Sequence, residues 1–330
     1  MNAVLTESDQ TDDVDCAIII VTYDSVRDIT GLLDCLPAAA ADLTVRIIVV
    51  DNGSVDGTVE RVRDHPEVLC VETGANLGYA GAINVGRQHA GQFRALAVLN
   101  PDLTVEQGAL REMFNALDHD PGVGIVVPMI IDFEGHLDQS LRREPTLMGA
   151  IGDALLGRHF KRRPARLSEM VRGEREYGYV HPVDWATGAI MLISTACERT
   201  VGAWDERFFH YSEEVDYAAR ARAAGFRIEY TPRVRARHRK GGSSQSQALT
   251  ALKAVNRVRY FEKHGKSAGL MRAVVLLHEL LRSVAPGHRA ALRVVSKRST
   301  WEPLIFDLKA RSAKPAIDTV PVKSHWGNLC

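Results

Sequence analysis

Residues 16–21, CAIIIV, form an unbroken apolar and mostly β-branched run. A strand apolar at every position has to be covered on both faces, as in a parallel sheet flanked by helices. The chain then keeps the matching rhythm. Ile29, Leu32, Leu33 and Leu36 recur at helical spacing, and Ile47 to Val50 is a second apolar run. Asp51, Asn52, Gly53 and Ser54 close that run, and Val59 and Val62 mark a short helix. Val68 to Val71 reads as a third strand. A Gly-rich loop from Gly74 to Gly81 leads into a helix near Asn84, and Ala95 to Leu99 is a fourth strand, ending in Asn100, Pro101 and Asp102. Thr104 and Gln107 have capping-box spacing ahead of a helix whose apolar face is Leu110, Met113, Phe114 and Leu117. Ile125 to Val127 is a fifth strand. The pattern predicts a doubly wound, Rossmann-like α/β sheet with ligands at the carboxyl ends of its strands, where the polar clusters fall.

Regularity lapses after Asp132, and residues 157–180 are rich in Arg and Glu without a period, as in an irregular or mobile segment. Order returns at Asp184 to Ile193, in a helix beginning near Tyr211 or Ser212, and in a strand from Phe226 to Tyr230 with a turn at Pro232. From Leu252 the chain reads as helical and basic. Four segments are expected. Residues 1–15 are an acidic leader without fixed structure, 16–130 and 131–265 are two halves of one domain, and 266–330 are a basic helical region. The net charge is zero, yet residues 227–330 hold 21 Lys and Arg against 6 Asp and Glu. Such a tail suits anionic lipid, a nucleotide diphosphate or plain solvent.

With 45% apolar and 25% charged residues, wholesale disorder is excluded. The five cysteines are scattered without CxxC spacing, which fits a reducing compartment. No basic start followed by an apolar core indicates secretion. The longest apolar stretch, Ala273 to Leu277 with Leu280 and Leu281 beyond, is far short of the roughly 20 residues that span a bilayer. A cytoplasmic location is expected, and nothing points to nucleic acid.

Several polar residues could carry chemistry, and each also has an ordinary structural use. Asp51 can accept hydrogen bonds from a base or ribose, or can simply make an Asx-turn. The place after strand one holds Thr22-Tyr23-Asp24-Ser25. Without GxGxxG there, a dehydrogenase is disfavoured, and without a Gly-rich phosphate loop bearing Lys or Arg, so is a nucleotidyltransferase. Asp102 puts a hard oxygen where a diphosphate and Mg²⁺ or Mn²⁺ could meet, or turns the chain. His238, among Arg233, Arg235, Arg237, Arg239 and Lys240, is a second ligand candidate or a surface histidine. Glu213, Glu214 and Asp216 open a helix, where its dipole favours acids. Glu213 and Asp216 share a face, Asp216 can pair with Arg220, and Glu214 points elsewhere, free to act as a general base. Trp185, ahead of Thr187 and Gly188, serves either the core or sugar stacking, and Trp204, Phe208, Phe209 and Tyr211 suit packing.

Taken in order, these segments resemble the family 2 glycosyltransferases of the GT-A fold, and among them the bacterial rhamnosyltransferase-like branch. The stretches that carry the resemblance are IIIVTYDS at 18–25, IIVVDNGSVDGT at 47–58, TGANLGYAGAIN at 73–84, VLNPDL at 98–103, WATGAIMLI at 185–193, and GAWDERFFHYSEEVDYAARARAAGF at 202–226. They cover about two thirds of the chain.

The resemblance implies that Thr22, Tyr23 and Asp51 hold the nucleoside, and that Asn76 and Asn84 shape the donor pocket. It makes Asp102 the surviving acid of a DxD motif, with Asn100 in the first acid's place, and His238 a residue that completes the metal site. Arg239, Lys240 and the Gly-rich loop after them suit a diphosphate. Glu213-Glu214 stands where the family has Glu-Asp, which makes Glu214 the base and Asp216 the second choice, with Trp185, Thr187 and Gly188 on the acceptor side. The implied reaction is an inverting, metal-dependent transfer, from dTDP-L-rhamnose first or a UDP-hexose second. The acceptor is a saccharide, a lipid-linked sugar or a small natural product. A non-catalytic sugar-nucleotide-binding protein is the rival. Leu270, Val274, Val275, Leu277, Leu280 and Leu281 with Arg272 and Arg282 form an interfacial membrane helix, or else a packing or homodimer helix.

Overall fold

The computed structural model describes residues 13–156, 164–239 and 246–310. Strands β1 (Val14–Thr22), β2 (Val45–Asp51), β3 (Val68–Glu72) and β4 (Phe93–Leu99) pair in parallel, in the order β3-β2-β1-β4. β1 begins two residues before the expected Cys16. Asp15, assigned to the leader, is ordered there, accepting from the Thr44 amide and hydroxyl and from Arg94. Residues 1–12 lie outside the described chain.

Successive side chains of a strand face opposite sides. Ile18 and Ile20 therefore meet α1 (Ile29–Ala40) and α4 (Ala109–His119) on one face, while Ile19 and Val21 meet α3 (Gly78–Gln88) on the other. The short α2 (Thr58–Arg63) precedes β3. α3 starts at Gly78, well before Asn84. The expected capping box is absent. Thr104 lies in β5 (Leu103–Val105), opposite Arg237, and α4 starts after Gly108, whose amide donates to the Ala38 carbonyl. A backbone already paired in a strand leaves Thr104 no helix to cap.

The second half extends the same sheet through β4-β10-β6-β11-β5. β6 (Val123–Ile131) runs parallel to β11 (Arg227–His238), and β10 (Ile190–Ser194) lies antiparallel between β4 and β6. β8 (His181–Val183) pairs the edge of β11, and the short β7 (Leu141–Arg142) and β9 (Trp185–Ala186) form a separate ribbon. Pro232 makes no chain-reversing turn. It sits in a register shift between Thr231 and Arg235 within β11, since a bulge is where a sheet tolerates a residue without an N–H.

Helices α6 (Thr195–Val201) and α7 (Glu213–Ala223) pack on the β1 Ile19 face. α5 (Leu147–Leu156), absent from the sequence reading, joins α8 (Gln247–Lys263), α9 (Ala268–Leu281), α10 (Pro286–Ser296) and α11 (Trp301–Ala310). Their core of Val255, Val258, Phe261, Met271, Val275 and Trp301 packs on Phe208 and Val215. This layer begins at Gln247, ahead of the expected boundary at 266. Among the described residues no helix is long and apolar enough to cross a membrane.

Candidate active site

Strand register explains why distant residues converge. Parallel pairing sets Thr22 opposite Asp51, so both end at the same sheet edge. β10 enters from that edge with Ile190 opposite Leu99, which places Thr187, Gly188 and Ala189 beside the end of β4, where the Asn100 amide donates to the Ala189 carbonyl at 2.8 Å. β11 runs far enough to set His238 against Leu103, next to Asp102.

On the donor side Asp51 is buried and accepts from the Thr22 hydroxyl at 3.0 Å, from the Gly53 and Ser54 amides and from the Ser54 hydroxyl. These contacts occupy all the lone pairs of its carboxylate. It organises its own turn, and a nucleobase has to displace one of the internal donors to reach it. Tyr23 is 43% exposed beside it. Asn76 faces inward, its Oδ1 accepting from Asn52 and from the Gly78 amide. Asn52 is the residue the sequence reading passed over: its amide also donates to the Gly78 carbonyl and accepts from the Leu77 amide. Gly78, at φ +81°, has no room for a Cβ, which would lie 2.4 Å from the Phe209 carbonyl oxygen.

Asn84 stands apart from this edge. Its amide clamps the Trp204 N–H and C=O, and it lines a cavity of about 460 Å³ with Arg87, Glu198 and Phe93, at the amino end of β4. Its observed work is tying α3 to the loop before α7.

Asp102 and His238 meet directly, Oδ1 to Nε2 at 3.1 Å, each side chain only 12% exposed. The other ring nitrogen, Nδ1, is buried without a hydrogen-bond partner. One carboxylate and one imidazole suit a divalent ion whose remaining positions come from substrate phosphates and water, so the residues present fit a Mg²⁺ or Mn²⁺ site. Arg239 follows, its amide donating to the Asp102 carbonyl and its guanidinium paired with Asp28. Lys240 lies outside the described residues.

Asn100 lies two residues before Asp102 and meets Tyr79. The Tyr79 hydroxyl donates to Asn100 Oδ1 at 2.8 Å and lies 3.5 Å from the Gly188 carbonyl. Gly188 in turn lies under Glu214: a Cβ there would stand 3.3 Å from Glu214 Cβ and 3.5 Å from its Cγ. Tyr79, named by no residue-level reading although it sits in the YAGAIN stretch, feels both groups. Burial raises its pKa, and the charges of Glu213, Glu214 and Asp102 push it further up.

Glu213 and Glu214 each keep one buried, unpartnered carboxylate oxygen. Burial raises both pKa values; the Glu214 charge raises Glu213 further, whereas Lys253 and Arg142 favour ionised Glu214. Of the two, Glu214 has the neighbours that favour the ionised form, and Glu213 is pushed further towards its protonated form. Asp216 has a different place. Fully buried, it accepts from Arg220, Lys263 and His264 at 2.8–3.0 Å. Burial opposes its charge, but the hydrogen bonds from His264 and Lys263 hold its pKa below the usual range. It anchors α7 to the end of α8 and has no free oxygen for a substrate, so the second-choice base is corrected to a structural ion pair. Trp185 Nε1 donates to the Arg143 carbonyl and Thr187 to the Ser140 carbonyl, which fixes the β7–β9 ribbon over Gly188.

The loop that delivers Glu213 is strained. Phe209, Tyr211 and Ser212 have φ of 61°, 67° and 75°, a region non-glycine residues rarely adopt. The buried Asn256 on α8 spans it, donating to the carbonyls of Phe208, His210 and Tyr211.

A carboxylate–imidazole pair and a buried pair of acids lie at the carboxyl edge of a mostly parallel sheet, an architecture shared with glycosyltransferases of the GT-A fold. Residues 17–181 match the model of Glycosyl transferase family 2, and the chain belongs to that family. It is 30% identical over 267 residues to the N-acetylglucosaminyl-diphospho-decaprenol L-rhamnosyltransferase of Mycobacterium tuberculosis H37Rv, spanning 78% of this chain and 86% of that one. It is 25% identical to the rhamnosyltransferase WbbL of Escherichia coli K12, over 67% of this chain and 82% of that one. The mannosyltransferase PcManGT of Pyrobaculum calidifontis, solved with GDP-Man and Mn²⁺, shares the fold at TM-score 0.51 and 18% identity, covering 92% of this chain and 81% of that one.

Proposed function

We propose that the enzyme transfers L-rhamnose from dTDP-L-rhamnose, with inversion, onto a hydroxyl of a lipid-linked saccharide at the inner face of the membrane. The observation that carries the mechanism is Glu214 seated on Gly188, whose carbonyl lies 3.5 Å from the Tyr79 hydroxyl that donates to Asn100, two residues before Asp102 of the Asp102–His238 pair. Ionised Glu214 takes the proton of the acceptor hydroxyl as its oxygen attacks the anomeric carbon. The bond from that carbon to the diphosphate oxygen breaks on the opposite side, and the nucleotide diphosphate leaves with the electron pair. Asp102 and His238 would hold a divalent ion, which supplies charge neutralisation to the departing diphosphate. Arg239 follows, its amide on the Asp102 carbonyl and its guanidinium held by Asp28. Rhamnose is supported by the names of both relatives above, the lipid-linked acceptor by the name of the first, and membrane contact by the exposed apolar residues of α9.

Calorimetric titration with dTDP, UDP and GDP, each with Mn²⁺ and with chelator, tests the donor side. Metal-dependent preference for dTDP is expected, and Asp102→Ala and His238→Ala should each abolish the metal dependence. Preference for UDP would move the donor to a UDP-hexose, and failure to bind any nucleotide would sink the catalytic reading.

A further inference from the structure

Beyond the Asp102–Glu214 line, a second cavity of about 340 Å³ opens between α8, α9 and α10, near the lower end of the roughly 300–1,000 Å³ typical of ligand pockets. Its polar wall carries Lys253, Arg257, Thr250, His278 and His288. The positive groups differ in how far they are already matched. Arg257 is paired with Glu169. Lys253 has no carboxylate within ion-pair distance among the described residues, and its ammonium lies 5.7 Å from the centre of the Tyr211 ring. Glu279 is buried and spans the two imidazoles, with one oxygen 2.9 Å from His278 Nδ1 and the other 2.7 Å from His288 Nδ1. Its charge is committed to orienting the rings, leaving Nε2 of each as the ring nitrogen still available.

This surplus of positive charge has two neighbours. Towards the site, Tyr211 on the cavity rim leads straight into α7, and Lys253 is close enough to Glu214 to favour its ionised form. Away from it, the cavity's other wall is apolar, with Val274 and Val275 of α9, and the outer face of that helix leaves Leu277, Leu280 and Leu281 41–57% exposed. A cationic recess with a base at one end and exposed leucines at the other matches a molecule with a sugar, a phosphate and a lipid in that order.

We propose that this cavity receives the phosphate that joins the acceptor sugar to its lipid, with Lys253 as the main anion contact and His278 and His288 beside it. The inference rests on the glycosyl-transfer reading and adds the chemical class of its acceptor site.

The test compares two acceptors with the same sugar, an N-acetylglucosaminyl diphosphate on a short prenyl chain and octyl N-acetylglucosaminide, on the alkaline plateau of the pH profile. For the wild type the diphosphate acceptor should have the lower KM. Lys253→Gln should raise that KM about tenfold, as expected for one lost charge-assisted contact, and leave the KM of the octyl glycoside within about twofold, any change in kcat through Glu214 falling on both acceptors alike. Equal shifts on both acceptors, or none, overturn the assignment. A folding defect in the variant is bypassed with the wild type: farnesyl phosphate should compete with the diphosphate acceptor and not with the donor, and lack of competition overturns it too. If Lys253→Gln weakens binding to phosphatidylglycerol vesicles while both KM values stay put, the phosphate belongs to a bilayer headgroup and the acceptor assignment falls. No transfer to any acceptor, with nucleotide still bound, takes down the functional reading as well.

Discussion

In the loop after β2, Asp51 takes four hydrogen bonds from Thr22, Gly53 and Ser54, and Asn52 closes onto Asn76, Leu77 and Gly78. Every partner lies within the first eighty residues. The loop before α7 is built the opposite way. Three non-glycine residues there adopt left-handed backbone, at a cost of about 1 kcal/mol or more each, and the amide that offsets it belongs to Asn256, on another layer. Asp216, at the same end of α7, is likewise held by Lys263 and His264 from α8. The turns proposed to hold the donor organise themselves, whereas the proposed base is positioned by the appended helices.

If that division is real, substitutions on the two sides separate binding from turnover. The largest effect is expected from Glu214→Gln, with turnover down about 10²- to 10⁴-fold and the nucleotide Kd within twofold, read by steady-state kinetics and calorimetry. A parallel loss of nucleotide affinity would break the comparison. Asn256→Ala comes next: it strips the strained loop of its donor, so kcat should fall about tenfold or more and stability by about 2 kcal/mol, with nucleotide affinity kept. Its mirror is Asn52→Ala, which should raise the nucleotide Kd about tenfold and spare kcat at saturating donor. Matching effects of the two asparagine variants on both parameters would mean one cooperative site.

The smallest effect on catalysis is expected at Asp216, where stability is the readout. Its folded pKa is depressed below the unfolded value of about 3.9, so its contribution is complete above that value and drains away as the pH falls through the folded pKa. Asp216→Asn, which leaves Arg220 without its carboxylate and Lys263 with Asp205 alone, should cost about 3 kcal/mol at pH 7. Urea midpoints taken at pH 7 and pH 3 should show that gap narrowing in acid. A constant gap would make the network irrelevant to acid sensitivity.

How much could be read from the residues follows the same division. β1 to β4 were legible because buried parallel strands are continuous apolar runs, and their ends mark where Asp51 and Asp102 fall. The Asp216–Arg220 pair was legible from its four-residue spacing. What α7 buries was not, because Lys263 and His264 are more than forty residues away and a helix pattern does not say what docks on it. Thr104 looked like a cap because its spacing to Gln107 is local, while its true partner, Arg237, is on β11. Asn256 left no sequence signal, being a single polar residue on an otherwise ordinary helix, and α5 fell where the pattern weakens.

The clamp by Asn256 also sets an order in time. A chain made from its amino end holds every hydrogen-bond partner of Asp51 and Asn52, in the turns proposed to bind nucleotide, once residue 78 has been added. Glu214 leaves the ribosome some forty residues before Asn256. Through that interval the nascent protein has its acid but nothing to hold the loop in its bent shape, and it matures into an enzyme only when α8 docks.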